Sequence, residues 1–193
     1  MSTSRASSQY SVQIHRSCRL APLGAPRVRQ VVAVVLADEQ VAKAELSIAI
    51  VDDAEIHRVN REHLNHDFPT DVISFLYASE RSNKSGKPSR LRRGSGLEIE
   101  GELVVSAQTA DREAPRHGCT PPRELELYLV HGLLHLCGYD DLTPPERRIM
   151  RRREKEILAK LPMPKGERQA LASGQTLPAP PLDNDRRQNP VLG

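Results

Sequence analysis

Residues 121–141, PPRELELYLVHGLLHLCGYDD, constrain the fold of this chain more than any other stretch. Leu125, Leu127, Leu129, Val130, Leu133, Leu134 and Leu136 leave no polar side wide enough to face water. A helix over 121–137 that is apolar nearly all round has to be buried, so the other elements must pack around it. Thr120 before two prolines supplies the start, and Gly138 supplies the left-handed residue that ends it. Into this helix the sequence places His131 and His135. Four residues advance about 400°, so the two imidazoles share one face, one turn apart. Buried rings need partners for their nitrogens, and two such rings double that need. Two imidazoles in this relation match the helical HxxxH half-site of zinc hydrolases.

A third ligand is expected close by. After Gly138, a short turn brings Asp141 back over the histidine face, and carboxylate oxygen suits zinc or a harder divalent ion. Asp140 is the competing residue, with orientation of a ligand histidine as its other role. His63 or His66 would complete the site if Asp141 did not. The stripe upstream of His131 passes through Tyr128 and Glu124, both polar, so this face is expected to look into a cleft. Cys137 points about 200° away from His135 and is read as a small buried hydrophobe. The other histidines, His15, His57 and His117 among them, are read as surface or capping residues.

Elsewhere, period-two patterns mark strands at 9–16, with Tyr10, Val12 and Ile14 alternating at an edge, and at 45–51, with Leu46, Ile48 and Ile50 on one face. Further strands are read at 71–77 and at 98–106, where Gly101 marks a bulge or a close approach. Helices are expected at 26–37, through 54–64 with Asp52 or Asp53 as cap, and at 144–160. In the last, Thr143 and Glu146 form a capping box. That helix should bury Ile149, Met150, Ile157 and Leu158 and show Arg147, Arg148, Arg151, Arg152 and Lys155 to solvent. The pattern is α+β: a small mixed sheet packed against several helices, with the metal site at a helix end. Residues 9–161 are read as one domain. Residues 1–8 and 162–193 are read as disordered, the second holding six prolines and no apolar periodicity. An apolar content of 38% over 193 residues fits a chain that does not pack along its whole length.

Three cysteines without CxxC spacing make no disulfide framework and point to a reducing cytoplasm. The longest apolar run, 31–37, falls far short of the ~20 residues of a spanning helix. Preceding arginines and Ala37 sketch a signal peptide, but the run starts late, so it is read as a packed element. Net charge is +3, yet the segment 81–96 holds Arg81, Lys84, Lys87, Arg90, Arg92 and Arg93 with no acid. Such a segment attracts polyanions, or serves only solubility.

The stretch HGLLHLCGYDD resembles the HGxLHLxGYDH signature of the YbeY family of rRNA-maturation endoribonucleases. DFPTDVISF at 67–75 is similar to that family's DxPTDVLSF block, and VDDAEIHRVN at 51–60 and GELVVS at 101–106 fall in the family's order. The resemblance runs over about residues 44–160. It implies a zincin-like domain, one zinc ion per chain, and cleavage of single-stranded RNA during maturation of small-subunit (16S) rRNA and ribosome quality control. It further implies a bacterial cytoplasmic protein that works beside the small ribosomal subunit, with a ribosomal protein or assembly GTPase as partner and neither membrane nor DNA. Two positions depart from the pattern. The family's third zinc histidine is Asp141 here, which adds negative charge and lowers the ion's Lewis acidity. Where the family carries an arginine just before DxPTDVLSF, this chain has Leu64, with Arg61, His63 and His66 as substitutes.

On this reading His131, His135 and Asp141 hold the metal. Asp71 or Glu102 acts as general base, and spacing does not choose between them. Arg81, Lys84, Lys87, Arg90, Arg92, Arg93, Arg151 and Arg152 contact the RNA backbone. A metalloprotease would need HExxH, whereas Gly132 stands at the glutamate's place. A non-catalytic ribosome assembly factor that keeps its metal for structure is the other alternative.

Overall fold

The computed structural model describes residues 9–64, 67–81, 92–163 and 191–192. The expected disordered segments, 1–8 and most of 162–193, lie outside them. A five-stranded mixed sheet has the order β1-β2-β4-β3-β5. Strands β1 (Tyr10–Arg16), β2 (Lys43–Val51) and β4 (Leu97–Ser106) run parallel, and β3 (Val72–Arg81) pairs antiparallel with β4. The two-residue β5 (Val191–Leu192) lies parallel to β3 at Ser74 and Phe75. Helices α1 (Ala25–Asp38), α2 (Asp53–Leu64), α3 (Ala107–Glu113), α4 (Pro121–Leu136) and α5 (Pro144–Lys160) complete the domain. The α+β reading holds.

Period-two burial sorts the sheet's two faces. Leu46, Ile48 and Ile50 of β2, with Ile99, Leu103 and Val105 of β4, join Val28, Val31, Val32, Val35 and Leu36 of α1 in the main core. The apolar run at 31–37 is thus part of a packed helix, and no helix among the described residues is long and apolar enough to cross a membrane. Val51, Ile73 and Val104 point the other way and meet Ile56 of α2 in a smaller cluster. Helix α4 lies in the main core with Leu125, Leu129, Leu133 and Leu134 wholly buried. Burial of each such leucine contributes about 1.5–3 kcal/mol relative to exposure.

Two glycines show how closely α4 approaches the sheet. A Cβ at Gly132 would stand 2.8 Å from Leu103 Cδ2 and 3.0 Å from both Ser74 Oγ and Val72 Cγ2. A Cβ at Gly101 would stand 2.7 Å from the Phe75 carbonyl oxygen and 3.2 Å from Leu136 Cδ2. Gly101 is therefore a close approach, and the bulge lies opposite it, at the register shift between Leu76 and Ala78.

The caps refine the sequence reading. Asp52 is the cap of α2, its Oδ1 accepting from Glu55 N at 2.9 Å, while Asp53 already belongs to the helix. The Thr143–Glu146 capping box is present. Thr120 holds the N-cap position of α4, but its side chain makes no capping bond to the helix. Helix α3 was not foreseen: it follows β4 without a turn, started by Ser106, whose side chain accepts from Thr109 N. Strand β3 runs to Arg81, four residues past the expected end.

Candidate metal centre

Helix α4 brings the two histidines together, and the turn after it brings Asp141. Gly138, at φ +87°, reverses the chain, and Asp140 Oδ1 accepts from the backbone N–H of Asp141 and Leu142 at 2.7 and 3.3 Å. Arg147 clasps the same turn through the carbonyls of Asp141 and Leu142, at 3.0 and 2.9 Å. The result places His131 Nε2 3.0 Å from His135 Nε2, with Asp141 Oδ2 and Oδ1 at 3.9 and 3.8 Å from the two nitrogens. One ligand atom from each of the three residues falls within 4.8 Å of the others. Asp140 is thereby assigned to the turn rather than to the cluster.

The far side of each ring is anchored. His135 Nδ1 lies 3.0 Å from the Tyr139 carbonyl oxygen, which only accepts, so the proton is on Nδ1. His131 Nδ1 lies 2.7 Å from Glu154 Oε1 of α5, which orients it in the same sense. Both Nε2 atoms consequently point toward each other and toward Asp141, where either a proton carried by His131 or a metal cation can join them. Asp141 Oδ1 is buried with no hydrogen-bond partner, which for a carboxylate is costly unless an ion satisfies it. Orphaned oxygen, converging ring nitrogens and second-side anchors together fit a divalent metal ion held by two imidazoles and a carboxylate.

Without an ion, the fold drives the two rings apart in their titration. Burial, then the charge of His131, pushes His135 down to about 3. Burial also acts to lower His131, but the carboxylates of Glu154, Asp71 and Asp141 together outweigh it and the net shift is upward. Burial raises the Asp141 carboxyl, offset in part by His131.

The remaining predicted residues divide. Asp71 stands just before β3, near enough for its charge to act on His131 and Tyr128, while its Oδ1 accepts from Val72 N and Thr70 Oγ1. Glu102 is not brought to the histidines. It faces away from α4, because its neighbours Gly101 and Leu103 are the residues that meet that helix, and it accepts from the Tyr77 hydroxyl at 2.8 Å. The expected cleft upstream of His131 is closed: Tyr128 and Glu124 are 5% and 1% exposed. Glu124 is satisfied there by His117 Nδ1 at 2.8 Å and Cys119 Sγ at 3.3 Å.

Among the basic residues, Arg81 donates to the Ser95 and Arg93 carbonyls, Arg92 to that of Asp38, and Arg93 to that of Gly138. Lys84, Lys87 and Arg90, like His66, lie outside the described residues. Arg152 is exposed on α5 and Arg151 half-buried. Cys137 is buried, as expected, and burial pushes its thiol well above the usual range. The sequence reading missed Glu154. Its signal was present: Met150, Arg153, Glu154 and Ile157 stand at i, i+3, i+4 and i+7, and all four are buried.

Gly132 also bears on the rival chemistry. A glutamate in its place, as HExxH demands, would drive a side chain into Leu103, Ser74 and Val72. The helix has no room for a protease's general base.

Comparison with known proteins gives four findings. The family model described as endoribonuclease YbeY matches residues 24–162. A Pelotomaculum thermopropionicum protein named endoribonuclease YbeY is 44% identical over 119 residues, 62% of this chain and 73% of that protein. One of the same name from Geobacter metallireducens is 39% identical over 150 residues, 77% and 93% of the two chains. The solution structure of TM1509 from Thermotoga maritima aligns with a TM-score of 0.53 at 20% identity, covering 86% of this chain and 97% of that one. At that identity the likeness concerns the fold alone.

Proposed function

The chain belongs to the endoribonuclease YbeY family, and from that premise we propose that it is a zinc-dependent endoribonuclease that cuts single-stranded RNA during maturation of small-subunit rRNA. One observation carries the reading: two imidazole Nε2 atoms and an orphaned carboxylate oxygen converge at one buried point. Nitrogen and carboxylate donors suit zinc, the ion proposed here, at one per chain. An ion held there supplies Lewis acidity at neutral pH and positive charge beside the phosphodiester.

The chain's own groups do the rest. Glu154 and the Tyr139 carbonyl keep both Nε2 atoms turned inward. Asp71, whose charge reaches His131, is the carboxylate proposed to take the proton from the attacking oxygen. Three protein ligands leave room for substrate. The exposed arginines of α5 and the basic segment 81–93 are proposed to meet RNA phosphates, which sets affinity and salt dependence rather than sequence choice. With two Phe, four Tyr and no Trp, stacking platforms for bases are scarce. Target choice then falls to RNA shape or to a partner, for which a ribosomal protein or an assembly GTPase on the small subunit in the cytoplasm is proposed.

Zinc-loaded protein, incubated with single-stranded rRNA precursor, is expected to cleave it, and chelator or His131→Ala to abolish cleavage. Equal cleavage by the variant would refute a hydrolytic role for the cluster. Metal bound with RNA left intact would instead make the protein a metal-stabilised assembly factor.

A further inference from the structure

A second buried polar group stands directly behind the metal centre. Glu39, at the C-cap of α1, is 0% exposed, and Arg153 of α5 is 3% exposed. Arg153 Nε and Nη2 reach Glu39 Oε1 at 3.1 and 2.5 Å. The Tyr139 hydroxyl donates to the same carboxylate, at 3.2 and 3.1 Å from its two oxygens. Tyr139 is also the residue whose carbonyl fixes His135 Nδ1, and it lies two positions before Asp141. Side chain and main chain of one residue therefore join the ion pair to the ligand set.

A buried ion pair is a poor device for stability alone, since well-packed apolar residues of similar volume often serve equally well. What it offers is direction. Glu39 presents oxygens at a fixed place, and Arg153 holds them there. Arg93 closes the turn from its other side, donating to the Gly138 carbonyl at 2.8 Å with its guanidinium 4.9 Å from the centre of the Tyr139 ring. The peptide after Gly138 is held by the Tyr139 N–H, which donates to the Leu134 carbonyl at 3.0 Å, and the Tyr139 side chain ties down the residue whose carbonyl meets His135. Helix α5 thus supplies consecutive residues to the two rings: Glu154 acts on His131 directly, and Arg153 acts on His135 at two removes.

We propose that Arg153, Glu39 and Tyr139 form a positioning chain that fixes the His135 tautomer and carries Asp141 to the Nε2 pair. The inference rests on reading His131, His135 and Asp141 as a metal site. None of the three chain members touches the ion or substrate, so each is a positioning residue.

Tyr139→Phe, made in the full chain, removes one hydroxyl and leaves Glu39 paired with Arg153. Two quantities are read. One is the zinc dissociation constant by chelator competition, expected to weaken about tenfold, as for outer-shell partners elsewhere. The other is the pair of ring ¹⁵N shifts of His135 in metal-free protein, expected to move from a single Nδ1–H tautomer to a mixture. Val32→Ala, which removes buried methyls of α1 away from this network, is the comparator and should leave both unchanged. Tyr139→Phe with wild-type affinity and tautomer would overturn the proposal. So would an equal loss in Val32→Ala, which would mark a general effect of stability. If the wild-type chain bound no zinc, the metal reading itself would fall, and the tautomer comparison would still decide whether Tyr139 orients His135.

Discussion

Two buried polar clusters lie side by side in this molecule, and they are built in opposite ways. Around Glu39 and Arg153 every charge has an answer within the chain. Arg153 pairs with Glu39 and Asp38 at 2.5 Å each and with Glu156, and Asp38 also meets Lys160 and Arg92. Around His131, His135 and Asp141 the cluster does not close: two ring nitrogens meet at 3.0 Å, and Asp141 Oδ1 has no partner. Folding does not leave such a cluster open without cost. The difference separates a structural network from a binding site on physical grounds, without reference to any relative.

That contrast can be broken from either side. Arg153→Ala strands Glu39 in the core and should cost about 3–5 kcal/mol in denaturant unfolding, whereas Glu39→Gln with Arg153→Met should cost far less. The open cluster should respond to what it lacks. Zinc at 100 times its dissociation constant should stabilise the folded chain by about 2.7 kcal/mol, visible as a rise in Tm that chelator reverses. Glu154→Gln should weaken zinc binding by about 10–100-fold while leaving the metal-free Tm nearly unchanged.

Acid provides the finest distinction. Burial would raise Asp38, but Lys160 and Arg153 hold its carboxyl below the ordinary value. Its stabilising contribution is present above the unfolded pKa and is lost as pH falls through the folded one. Asp141 is shifted the other way, raised by burial, so in metal-free protein it destabilises as pH rises past its unfolded value. Asp141→Asn should therefore leave the metal-free Tm at pH 7 equal or slightly higher while weakening zinc binding, and Asp38→Asn should lower Tm. A drop in metal-free Tm for Asp141→Asn would show that the carboxylate is satisfied within the chain.

Much of this was legible in the sequence, for identifiable reasons. The all-round apolar helix with His131 and His135 four apart, stopped by Gly138 before Asp141, states both the core and the cluster that could hold an ion. Alternation in β1 and β2 and the proline-led starts of α4 and α5 place the rest. What escaped was polar side chains doing buried work. RRREKE reads as a solvated run, yet Arg153 and Glu154 occupy the inward stripe beside Met150 and Ile157. Glu39 stands at a helix end, where nothing in composition distinguishes a buried carboxylate from a surface one. Glu102 is a candidate base by residue type alone, since spacing does not choose between it and Asp71, and the strand's period of two turns it to the other face. Helix α3 is too short to show a period. Tyr128 and Glu124 extend the histidine stripe in sequence, but their hydroxyl and carboxylate are met within the fold instead of lining a cleft.

The most direct test of the central claim is X-ray absorption at the zinc edge on protein purified without chelator. One equivalent of metal with two imidazole scatterers and oxygen neighbours, lost in His135→Ala, is the predicted result. No metal, or metal retained unchanged in that variant, would contradict the account.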